Sequence, residues 1–157
     1  MSGYGKAVVL GPGEGDEFTI GLDRVLVKGA TEHTGDGFSV VEYHGANQPG
    51  PPPHVHRTFE ECWFILDGEV DFTVDGEVIR GRAGSFFLVP RGTTHTFQVV
   101  RDSPAHWVGI FSPGRYMELI RELGKLIPPD GPPDPHSVAA LFTRYDTDIV
   151  RHQSEPC

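Results

Sequence analysis

Short runs of apolar and polar residues alternate along this chain and are cut by turn residues every few positions. Strand-like runs occupy Phe18–Ile20, Leu22–Lys28, Phe38–Tyr43, Cys62–Leu66, Glu69–Val74, Glu77–Arg80, Phe86–Val89, Thr94–Val100 and His106–Phe111. Asp67-Gly68 and Asp75-Gly76 fall between such runs and carry the signature of tight hairpin turns, which need positive φ. About nine short strands at this spacing predict an all-β sandwich or barrel.

The pattern changes after Ser112-Pro113-Gly114. Met117, Ile120, Leu123, Leu126 and Ile127 recur at helical spacing, with Glu118, Arg121, Glu122 and Lys125 between them. The spacing predicts one amphipathic helix over about 115–127, packed on the β-structure as a lid or brace and ended by Pro128-Pro129. A proline-rich link runs to Pro135, with a short helix around Val138–Phe142 and a loose tail over 151–157.

Composition narrows the class. The 157 residues read as one domain, 1–157, long enough to bury a core without staples. Gly 20 and Pro 14 beside 38% hydrophobic residues fit a folded, turn-rich β protein. A formal charge of -9 argues against a nucleic-acid partner or an anionic membrane surface, because phosphates are repelled. Two cysteines make no disulfide framework: Cys62 reads as a buried small hydrophobe and Cys157 as a tail thiol. Lys6 precedes only four apolar residues, Ala7 to Leu10, too few for a signal peptide, and no stretch approaches membrane-spanning length. The expected location is cytoplasmic.

Two short motifs carry the chemistry. The first runs Gly50-Pro51-Pro52-Pro53-His54-Val55-His56, then Glu61 and Gly68; the second is Gly84, Pro90, Gly92 and His95. His54 and His56, one residue apart, point to the same face of an extended strand. Glu61 has the wrong parity to continue that strand, so 57–60 must bend, and alternation alone does not choose between Glu60 and Glu61. From Glu61 onward, Trp63 and Ile65 share its inward face. A Pro90-Arg91-Gly92 turn returns the chain to a strand on which His95, Phe97 and Val99 share a face. Three imidazoles and a carboxylate suit a divalent transition metal with positions left open. Taken singly, each piece reads as packing; His33, His44, His106, His136 and His152 have no such context and receive no role.

These residues resemble the two motifs of the cupin superfamily. The six-residue gap to Gly68 selects Glu61 over Glu60, and Gly84, Pro90, Gly92 and His95 match the second motif at every spacing. Gly50 lies nearer His54 than the usual pattern, and Val99 stands where asparagine is frequent. The motifs span about 50–99. The resemblance implies a single-domain cupin β-barrel, a double-stranded β-helix or jelly roll, with a C-terminal helix and commonly a homodimer. It implies one metal ion (Ni, Fe, Mn, Co, Cu or Zn) held inside by His54, His56, Glu61 and His95. Within the superfamily the chain looks like the single-domain quercetin dioxygenase-like cupins, through the Pro-Pro-Pro-His-Val-His lead, the 61–68 run and the Pro113-Gly114-Arg115-Tyr116 helix entry.

Three functions follow from such a site. The first is a metal-dependent dioxygenase opening a flavonol or related enolic or phenolic ring, with dioxygen as co-substrate and Glu61 accepting the substrate proton. The second is an oxygen-independent isomerase, cyclase or decarboxylase of an enolisable metabolite. The third is a non-catalytic module binding metal or a small ligand. Trp63, Phe64, Phe86, Phe87 and Phe97 are candidate walls for a flat small-molecule substrate.

Overall fold

The structure is a computed structural model that describes residues 6–150; the expected loose tail and Cys157 lie outside the described residues. The strands are β1 (Asp16–Ile20), β2 (Asp23–Gly29), β3 (Ser39–Gly45), β4 (His54–His56), β5 (Glu60–Asp67), β6 (Glu69–Val74), β7 (Glu77–Arg82), β8 (Phe86–Val89), β9 (His95–Val99), β10 (Ala105–Ser112) and β11 (Thr147–Ile149). The helices are α1 (Thr31–Thr34), α2 (Tyr116–Leu126) and α3 (Pro135–Arg144). A six-stranded antiparallel sheet has the order β1-β2-β3-β10-β5-β8, and a five-stranded one the order β11-β4-β9-β6-β7. From β3 to β6 the chain changes sheet at every connection, the winding of a jelly roll. The two hydrogen-bonding ladders do not join, so the barrel outline comes from two facing layers.

One predicted hairpin is something else. β5 pairs with β10 and β8, whereas β6 pairs with β7 and β9, so Asp67-Gly68 turns a corner between sheets. Gly68 has φ +74°, and a Cβ there would lie 2.2 Å from the Pro104 carbonyl oxygen. The glycine marks a close backbone approach, which a hairpin signature does not distinguish from a turn. Asp75-Gly76 does close a hairpin, with φ of 47° and 87° between β6 and β7.

Strict alternation sorts the side chains. Ser39, Val41 and Tyr43 of β3, Glu61, Trp63 and Ile65 of β5, and Trp107 and Phe111 of β10 face the other sheet and are buried. Tyr43, Trp63 and Trp107 stack at centroid separations of 4.5 to 6.4 Å, with Phe72 and Phe97 against Trp63 at 5.0 and 4.6 Å. This aromatic column fills one part of the interior. Phe64 and Phe86 point the opposite way and are 44% and 59% exposed, so they are not interior walls as the sequence had suggested. Cys62 is likewise only half-buried, not a core residue, because it shares the outward parity of Phe64.

The predicted amphipathic helix is α2, which buries Tyr116, Met117, Leu119 and Ile120. α3 starts earlier than expected because Asp134 caps it, accepting from the backbone N–H groups of His136 and Ser137, with Pro135 at the first helical position. It is followed by β11, a three-residue strand that pairs with β4. No predicted run corresponded to β11.

Candidate metal centre

Register assembles the site. β4 lies between β11 and β9, and His54 sits directly opposite His95 across the β4–β9 ladder. Directly opposed residues have Cβ atoms about 4.5–5.5 Å apart, and His56 follows two places along on the same face. Glu61 comes from the facing sheet, where the bend after β4 has reset its parity. The four side chains therefore meet between the layers, with His54, His56, Glu61 and His95 exposed by 5%, 2%, 5% and 2%. Glu60 is outside, ion-paired to Arg91 at 3.0 Å.

Each imidazole is fixed by the nitrogen that faces away from the cluster. His54 Nδ1 donates to the Pro52 carbonyl at 2.8 Å and His95 Nδ1 to the Thr93 carbonyl at 3.0 Å. His56 Nδ1 donates to Thr147 Oγ1 at 2.8 Å, whose own hydroxyl proton goes to the Tyr145 carbonyl at 3.1 Å. This pattern places a proton on Nδ1 of all three rings and turns each Nε2 inward, which is how metal-binding histidines are oriented. Ligand atoms of the three rings lie within 4.8 Å of one another.

The carboxylate sits beside two of them. Glu61 Oε1 is 2.8 Å from His95 Nε2, and Oε2 is 4.0 Å from His56 Nε2. The closer contact is off the line of a ring N–H, so His95 Nε2 is buried without an aligned hydrogen-bond partner. Such an orphaned nitrogen is costly unless something else satisfies it. The residues fit a divalent ion: three inward nitrogens, one carboxylate and one unsatisfied atom among them.

Electrostatics keep two of the three rings neutral. Burial, then the neighbouring imidazoles, takes His54 down to about 3. Burial takes His56 down to about 4 and His95 adds to this, against the opposing pull of Glu61. Burial pushes Glu61 up, but His95 and the other two rings more than offset it and bring it down to about 2. For His95, burial is outweighed by Glu61 and the net shift is upward.

Two side chains bonded to His56 carried no mark in the sequence pattern that assigned the cluster. The Tyr116 hydroxyl, on the first turn of α2, donates to His56 Nε2 at 3.1 Å, and burial followed by the Glu61 charge pushes its pKa well up. A buried polar residue on the apolar stripe of α2 was the available signal. Thr147 had none, because a lone threonine in a three-residue strand looks like any other. Phe142 of α3 packs on His54 at 5.5 Å and Phe59 lies against Tyr116 at 4.9 Å, so α2 and α3 roof the cluster.

The family model described as cupin domain matches residues 40–111, the stretch that supplies all four clustered side chains. A search of curated proteins finds quercetin 2,3-dioxygenase of Bacillus subtilis (strain 168), 32% identical over 91 residues. That match covers 58% of this chain and 27% of the dioxygenase, so the chain spans about a quarter of that relative. Among solved structures, an RmlC-like cupin from Shewanella frigidimarina superposes with a TM-score of 0.61 at 19% identity, covering 73% of this chain and 98% of that one. KdgF from Halomonas sp. superposes with a TM-score of 0.57 at 18% identity, covering 66% and 92%. Residues 40–111 match the cupin domain model, and the chain has the cupin fold. Among the described residues no helix is long and apolar enough to cross a membrane.

Proposed function

We propose that this chain is a metal-dependent dioxygenase of the quercetinase-like cupin type, acting on a flavonol or a related enolic or phenolic ring. The observation that carries this reading is the set of three inward Nε2 atoms with the Glu61 carboxylate beside them, and the similarity to a quercetin dioxygenase supports it. His54, His56, His95 and Glu61 would hold the ion, which supplies Lewis acidity toward an enolic oxygen and a place for dioxygen. Glu61 is ionised at neutral pH, so it serves as a ligand oxygen or a proton acceptor and not as a donor. Tyr116 keeps its proton and is the hydroxyl donor beside the cluster; once His56 Nε2 is engaged elsewhere, that hydroxyl is released toward whatever oxygen sits there.

Oxygen uptake by protein loaded separately with nickel, cobalt, manganese and iron, against a flavonol panel, tests the proposal. Metal-dependent uptake with loss of flavonol absorbance is expected. No uptake by any demonstrably loaded form overturns it. The pairing of an acceptor, Glu61, with a donor, Tyr116, favours as second reading an oxygen-independent isomerase, cyclase or decarboxylase, which turns over equally well without oxygen.

We further propose a homodimer formed through the β5–β8 end of the outer face of the six-stranded sheet. Phe64 is in register with Phe86 and Val108, and Cys62 with Leu88 and Ile110, which makes one contiguous apolar patch. Sedimentation velocity is expected to give twice the chain mass, reduced to one chain mass by Phe64→Asp.

A further inference from the structure

A second cluster of ligand-type side chains lies on the opposite side of the six-stranded sheet. Glu42, His44 and His106 carry the outward parity of β3 and β10, alternating with the inward Tyr43 and Trp107. His44 and His106 are directly opposed across the antiparallel ladder, and Glu42 is two residues from His44 on the same face. The backbone register therefore holds the three side chains together. The stack of Tyr43, Trp107 and Trp63 lies on the sheet's inner side, so this cluster is separate from the interior histidines.

Its geometry is convergent. The two rings stack with centroids 4.2 Å apart and planes 13° from parallel, so both edges point the same way. His106 Nε2 is 2.9 Å and His44 Nε2 3.2 Å from one oxygen, Glu42 Oε1. Ligand atoms of all three lie within 4.8 Å of one another. Zinc with donors at about 2.0–2.1 Å in tetrahedral geometry separates those donors by roughly 3.3–3.5 Å, so small side-chain rotations suffice.

We propose that Glu42, His44 and His106 form a second divalent-metal site, taking zinc or a similar late first-row ion, with its remaining positions open to water. Two imidazoles and a carboxylate are the donor set such ions prefer. In the metal-free cluster both Nε2 protons point at the same oxygen. Neither Nδ1 has a protein partner among the described residues, and both rings are partly exposed, at 37% and 30% of their side-chain area. Each proton can therefore move to Nδ1 and be solvated there, freeing both Nε2 lone pairs toward Oε1. Lys28 binds the other oxygen, Oε2, at 2.7 Å. It leaves Oε1 available and steadies the carboxylate, while its charge weakens the site for a cation.

The alternative is a closed hydrogen-bond cluster with no affinity for metal, and zinc binding separates the two. Equilibrium dialysis of the full chain against micromolar zinc is compared with H44Q/H106Q and with E42Q, each shown to be folded by circular dichroism. The unmodified chain is expected to bind one zinc more than H44Q/H106Q, whatever the interior centre takes up. E42Q is expected to weaken that additional zinc at least tenfold. Zinc should also raise the melting temperature of the unmodified chain more than that of H44Q/H106Q, since an ion bound only to the folded state stabilises it. Should the double variant fold poorly, His44→Gln alone, at the more exposed ring, gives the same comparison. Equal zinc content with and without His44 and His106 overturns the proposal.

Discussion

At the scale of single residues, what distinguishes the interior histidines is the partner on the far side of each ring. A carbonyl or a hydroxyl fixes Nδ1 in every case, and the inward Nε2 of His95, buried without an aligned partner, has to be satisfied by something other than the fold. Glu61 is tied into this arrangement and Glu60 is not. Glu61→Gln is therefore expected to lower the content of tightly bound metal about tenfold or more, while Glu60→Gln, which breaks only an exposed pair with Arg91, leaves it unchanged; metal analysis of dialysed protein distinguishes them. The convergence of these four side chains was legible because spacing within a strand encodes facing, and the six residues to Gly68 chose between the two acids where alternation did not. Thr147 was not legible: it acts through one hydrogen bond to a residue 91 positions away, and no local pattern reports such a contact.

At the scale of elements, the glycines of the first motif have physical reasons. A Cβ on Gly50 would lie 1.7 Å from the Phe97 carbonyl oxygen, so the loop leading into β4 passes directly against β9. Gly50→Ala must push that loop outward and carry His54 away from its opposite number, His95. The expected cost is about 1–3 kcal/mol, with a lower melting temperature and less bound metal, whereas Gly131→Ala, which meets nothing within 4 Å, is expected to be neutral in both assays. Strand existence was readable from period-two alternation. Which strands pair was not, as Asp67-Gly68 shows: a turn signature says that the chain reverses there and leaves open whether it returns to the same layer. Outward-facing Phe64 and Phe86 misled for a related reason, since an aromatic residue marks burial somewhere without saying against what.

At the scale of the whole molecule, closing two layers over neutral imidazoles makes the metal-free fold sensitive to acid. His54 and His56 have folded values of about 3 and about 4, both below the ordinary 6.5. As pH falls, the unfolded chain takes up their protons first, so the stability present above about pH 6.5 is lost on the way down through those values. Glu61, depressed from 4.5 to about 2, adds a loss in the same direction at still lower pH. His95 is shifted the other way, so its contribution is present in acid and fades as pH rises through its raised value. Between pH 6 and 4 the two depressed histidines dominate, with a slope of about 3 kcal/mol per pH unit at most, taking about 1.4 for each proton. Urea midpoints of metal-free protein at pH 7 and pH 5 measure this, and an unchanged midpoint would falsify the assignment of neutral buried rings.

The pairing of β11 with β4 also sets an order of events on the ribosome. His95, the last of the three histidines to emerge, does so roughly fifty residues ahead of Thr147, an interval of about 3–10 s at ordinary rates of synthesis. During it β4 has β9 on one side and an open edge on the other, and its imidazoles face the cell's dissolved ions. Docking of α3 and β11 then roofs a cluster whose rings end at 5% exposure or less. Were an ion to enter the proposed centre during that interval, the docking of α3 and β11 would close over it, and the metal supply at the time of synthesis would decide which ion the finished fold keeps.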